Sequence, residues 1–114
     1  QAEARASLAE AAAAQHSREA AEAERESARL RIDQARAEVD SASAEALFRE
    51  QALGRDKELF LQGGLSVEDL QRSQAETEEA RTSLHNARVA VKQAAQEARA
   101  AERRAQSEGS TRGA

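Results

Sequence analysis

Gln62-Gly63-Gly64-Leu65-Ser66 is the stretch on which the fold turns. Paired glycines followed by a helix-capping residue are strong local punctuation, and nothing like them occurs earlier in the chain. Residues 1–61 contain one glycine, Gly54, and no proline, and from Val67 to about Ser107 neither residue occurs. Two long helices joined by a tight turn, an αα-hairpin, is the simplest organisation. Helix one is expected over 1–61, the tip turn over 62–66, helix two over 67–107, and a frayed tail over 108–114. Ser66 is the expected N-cap, its hydroxyl accepting from the amide of Asp69. Glu68 and Asp69 then sit in the first turn, where carboxylates favour the positive end of the helix dipole. Leu65 and Leu70 have the spacing of a hydrophobic staple. On the other side of the turn, Gly64 is the expected left-handed residue, with Leu65 meeting Phe60 in a Schellman ending.

Working outward, heptad counting finds a seam on each side. In helix one, Ile32, Ala35, Val39, Ala42, Ala46, Leu53 and Phe60 follow alternating steps of three and four. Ala28, Ala21, Ala14, Ala11 and Ala4 extend the seam backward, with interruptions at Arg18, Arg25, Arg49 and Asp56. In helix two, Leu70, Ser73, Thr77, Ala80, Leu84, Ala87, Val91, Ala94, Ala98, Ala101 and Ala105 form an unbroken small or apolar stripe. Alanines at the contact let two helices approach near the short end of the roughly 8–10 Å interaxial range. The expected fold is all-α: an antiparallel two-helix coiled-coil hairpin with an Ala-rich seam, an elongated rod. Folding at the glycines pairs positions whose numbers add to about 127, which leaves residues 1–20 as an unpaired overhang. Glu68/Arg72, Glu45/Arg49 and Glu78/Arg81 have the spacing of stabilising ion pairs along one helix.

Composition agrees and removes several functional classes. Ala, Glu, Lys, Leu and Arg supply 72 of 114 residues, and 29 are alanine, a bias typical of long helices and coiled coils. Nine Leu, four Val, two Phe and one Ile are too few to fill a globular core. Strong helix formers argue against the disorder that so few large apolar residues would otherwise suggest. Seventeen basic and 21 acidic residues are intermixed, and Trp and Tyr are absent. Neither a cationic stripe nor most base-stacking groups are therefore present, and no nucleic-acid partner is expected. No window approaches the roughly 18 apolar residues of a membrane span, and the absence of Cys removes disulfide and thiol chemistry. Without an initiating Met, the chain is expected to be a segment of a larger protein.

No catalytic constellation is found. His16 and His85 lie on opposite arms without a second His or a Cys to complete a zinc set. Carboxylates spread over exposed faces do no general acid–base work at ordinary pKa. Gly63-Gly64 lacks the spacing and the Lys of a phosphate loop. The expectation is a protein that is not an enzyme and takes no cofactor and no metal.

The stretch from Arg55 to Asp69 resembles the hairpin tip of the periplasmic adaptor proteins, or membrane fusion proteins, of the HlyD/AcrA family. There an Arg, a Leu and a Ser at fixed spacing mark the tip. Arg55, Leu59 and Ser66 match that spacing, and Asp69 matches an acidic residue often found three after the Ser. Gly63, Gly64 and Leu65 complete a similar turn. The resemblance implies that the tip docks on a TolC-like outer-membrane channel. It further implies a hexamer of hairpins forming a tube to an inner-membrane transporter, through domains that this chain lacks. The long arms favour the ABC-type and type I secretion branch. The implied location is the periplasm of a Gram-negative bacterium, with the full-length protein attached to the inner membrane. Arg55 and Leu59, four apart, share one helix face. Arg supplies a fork of donors for carboxylates or helix-end carbonyls, Leu an apolar knob and Ser a hydroxyl. Leu8, Leu30, Leu47 and Leu61 fall off the seam and are open to contacts between hairpins. The alternative is a generic dimerising scaffold or tether with no channel partner. A lipid-surface helix fits less well, because such helices carry bulky apolar and basic faces.

Overall fold

A computed structural model describes residues 2–113 of the protein, and the side chains of residues 2–107. Two α-helices, α1 (Ala2–Leu61) and α2 (Val67–Gly113), account for it, with no strand among the described residues. The fold is the expected antiparallel two-helix coiled-coil hairpin. Two compact units are distinguishable: residues 33–93, which contain the turn, and residues 1–32 with 94–114.

Within 33–93 the helices meet along the Ala-rich seam. Ala46, Leu53, Thr77 and Ala80 are buried there, and Val39, Ala42, Phe60, Leu70, Leu84, Ala87 and Val91 are half-buried. In the other unit Ala28, Ala94 and Ala101 are buried. Small side chains dominate because closely approaching helices leave room for little else. Ion pairs set the register. Arg49 with Glu76 and Arg81 with Glu50 cross between the helices in the first unit. Arg25 with Glu102, Arg31 with Glu97 and Arg104 with Glu24 cross in the second. All five join residues whose numbers add to within about four of 127.

Arg49 occupies a seam position without interrupting the packing. Its stem stays at the contact while the guanidinium leaves sideways, Nε donating to Glu45 at 2.9 Å and Nη1 to Glu76 at 2.8 Å. Its carbonyl oxygen accepts from Thr77 Oγ1 at 3.2 Å, and the same hydroxyl lies 2.8 Å from the carbonyl of Ser73. Thr77 has no exposed surface at all, so these bonds satisfy a fully buried hydroxyl. Arg81 makes the neighbouring clamp. Its hydrogen bonds to Glu50 and then Glu78 hold the guanidinium above its ordinary pKa.

Five expectations need correction. Gly63, not Gly64, is the left-handed residue, with φ of 78°. Its amide donates to the carbonyl of Phe60 at 3.0 Å, and that of Gly64 to Leu59 at 2.9 Å. These are the two bonds of a Schellman motif placed one residue earlier than expected. Next, α2 continues through Gly113 rather than ending at 107. Gly109 costs about 1 kcal/mol against alanine, too little to end a helix that meets no proline; Ala114 lies outside the described residues. Half-buried Ala14 and Ser17 correspondingly shorten the uncovered stretch of α1 to residues 2–13, where Ala4 and Ala11 are exposed. Ser17, rather than Arg18, takes the inward position, the direction in which a 3.6-residue helix drifts from a strict heptad by about 20° per repeat. Finally, Arg72 pairs with Asp69 at 3.4 Å instead of Glu68, whereas Glu45/Arg49 and Glu78/Arg81 pair as spaced.

The two helix-side glycines give a contrasting pair of expectations. Gly63→Ala places a Cβ in left-handed backbone and should cost about 1–2 kcal/mol. Gly54 is helical, and a Cβ added there would meet nothing within 4 Å, so Gly54→Ala should gain about 1 kcal/mol. Urea denaturation followed by circular dichroism measures both; equal effects of one sign would contradict the assignment.

Candidate docking tip

Three pieces of local chemistry build the end of the hairpin. The Schellman bonds close α1, and Ser66 opens α2. Its Oγ accepts from the amide of Asp69 at 3.1 Å and its carbonyl from the amide of Leu70 at 3.1 Å. Between them, a Cβ at Gly64 would lie 2.7 Å from Cδ1 of Leu59, so a larger residue there would displace that side chain. Leu59 therefore folds over the turn and covers Gly64. It remains 42% exposed, so part of its isobutyl group still faces outward.

The sequence-predicted residues thus divide by what already engages them. Ser66 is committed as a cap through its oxygen. Asp69 is occupied twice, its amide by Ser66 and its carboxylate by Arg72. Leu65 is half-buried. Arg55, one turn before Leu59 on the same face, is exposed and has no ion pair or hydrogen bond among the described residues. Its guanidinium is free to meet a group from outside.

Leu61 and Val67, at the last position of α1 and the first of α2, are 83% and 51% exposed. With Leu59 they give the turn three uncovered aliphatic side chains. Leu61 is among the off-seam leucines. Val67, which the pairing sum of about 127 sets against Phe60, instead lies half uncovered outside the seam that starts at Leu70. Phe48 is off the seam as well. It is exposed, with the Arg49 guanidinium carbon 5.7 Å from its ring centroid, within cation–π range. Leu8, Leu30 and Leu47 are exposed as well.

His16 and His85 are exposed. Among the described residues no group of three or more His, Cys, Asp or Glu could hold a metal ion, and no helix is long and apolar enough to cross a membrane. No family model, curated protein or solved structure matches the chain.

Proposed function

We propose that this chain is the hairpin of a periplasmic adaptor in a tripartite efflux or type I secretion machine. Its tip docks end to end on a TolC-like outer-membrane channel. In this reading it is a docking element and not an enzyme. It works in the periplasm as part of a homo-oligomer, a hexamer by resemblance, and reaches an inner-membrane transporter of ABC type through other domains. One observation carries the reading: a turn rigidified on both sides, by Schellman bonds and a serine cap, leaves Arg55 unpaired and Leu59 partly uncovered beside it. A rigid apex with one unengaged cation and an aliphatic knob suits the exposed carbonyls and shallow pockets at another protein's helix ends. The fork of the guanidinium reads the carbonyls, and little ordering entropy is lost on contact.

Arg55→Ala, Leu59→Ala and Ser66→Ala in the full-length protein test it. An anchor residue truncated at an interface costs about 2 kcal/mol or more, roughly thirtyfold in affinity. Export by cells carrying Arg55→Ala or Leu59→Ala should fall by at least tenfold, with expression and helicity unchanged. Ser66→Ala should lose export together with about 1 kcal/mol of stability, since it also removes a cap. Undiminished export by all three variants would leave the generic tether as the better reading.

A further inference from the structure

On one flank of the unit formed by residues 33–93, a groove of about 540 Å³ runs between the helices. Its apolar lining comes from Val39 on α1 and from Val89 and Val91 on α2. Arg36, Arg88 and Lys92 rim it, with His85 beside them and Asp40 as the one carboxylate. Elsewhere in this unit, cations at the helix contact are neutralised: Arg49 by Glu45 and Glu76, Arg81 by Glu50 and Glu78. Arg36, Arg88 and Lys92 have no ion pair among the described residues. The register explains the difference. One heptad from the Glu50/Arg81 pair, the same geometry sets Ser43 against Arg88, so a hydroxyl stands where the carboxylate would be. Arg88 and Lys92, four apart on one helix, repel each other.

We propose that this groove binds a free single-chain amphiphile: an apolar chain lying on the valines and an anionic head, phosphate, sulfate or carboxylate, held by Arg36, Arg88 and Lys92. Volume and lining fit. Small-ligand sites span about 300–1,000 Å³ and are mostly apolar with a few polar groups. The α2 lining, from His85 to Lys92, covers about 10 Å at 1.5 Å per residue. That length matches a medium alkyl chain and falls short of the several turns over which a docked helix spaces its anchors. Charge complementarity selects the head, because three unneutralised cations face one carboxylate and Arg presents paired donors to oxyanions.

The test is a ¹H–¹⁵N NMR titration of the 114-residue chain with octyl phosphate below its micelle concentration. Saturable shifts should cluster at residues 36–40 and 85–92. Inorganic phosphate, the head alone, and octyl glucoside, a chain with a neutral head, should each bind at least tenfold more weakly. Arg88→Glu should weaken octyl phosphate at least tenfold. Arg36→Gln provides a milder variant should the charge reversal disturb the fold, with a loss of about threefold or more. Equal binding of octyl glucoside would reduce the effect to detergent adsorption on valines. Shifts scattered along both helices, or no saturation, would overturn the site. Shifts at these residues that grow with protein concentration alone would give the groove to a second copy of the chain and overturn it equally. Export by the tip variants is independent of all these outcomes.

Discussion

Leu53→Ala should unfold the hairpin about 10 °C below the parent chain. Leu53 is 8% exposed and is the one buried side chain larger than threonine among the described residues. Its removal leaves a void in a seam whose other buried side chains are alanines and Thr77, too short to reach into it. Large-to-small changes of this type cost about 2–5 kcal/mol. A two-layer hairpin, open to solvent on both flanks, belongs near the lower end, at about 2–3 kcal/mol. One kcal/mol corresponds to roughly 4 °C for a chain of this length. Thermal melts by far-ultraviolet circular dichroism measure the shift. A change under 3 °C would show that Leu53 does not anchor the contact. Leu47→Ala is the matched control: Leu47 is exposed, and the change should stay within about 0.5 kcal/mol.

The opposite perturbation, Ala80→Leu, should be comparably harmful although it adds apolar surface. Ala80 is 7% exposed and Ala46 4%, and their numbers add close to the register value, so the two face each other across the seam. A leucine there has no space unless the helices separate. Separation lengthens the Thr77–Arg49 carbonyl bond and the Arg49–Glu76 pair, which lie within one turn of it. Overpacking costs about 1–3 kcal/mol. The expected result is a lower urea midpoint for Ala80→Leu and almost no change for Ala75→Leu, whose site is exposed. If Ala80→Leu matched or exceeded the parent in stability, close alanine-mediated contact would be wrong and the seam would have to be loose at this level.

Both expectations rest on a seam that heptad counting finds without coordinates. Every α2 seam position, from Leu70 to Ala105, is buried or half-buried. The Ser66 cap was legible for the same reason as the seam: an N-cap bond spans three residues, and a glycine pair followed by serine is readable locally. The choice between Gly63 and Gly64 was less legible, since either can adopt positive φ. The backbone bonds separate them: the Gly63 amide donates to Phe60 and the Gly64 amide to Leu59, which puts the positive φ at Gly63, and glycine at both positions leaves that choice unmarked in the residue types.

Composition and spacing alone therefore determined that this protein is two helices, where they turn and which faces meet. Helical hydrogen bonds and caps close over three or four residues, and the heptad repeat projects the contact face directly from order along the chain. The tertiary structure alone decided that Thr77 bonds the Arg49 carbonyl, which carboxylates of the facing helix neutralise Arg49 and Arg81, and that Arg36, Arg88 and Lys92 are left over. Those outcomes depend on ångström distances between residues about thirty or more apart in sequence. A shift of one residue in register would reassign every one of them without altering either helix.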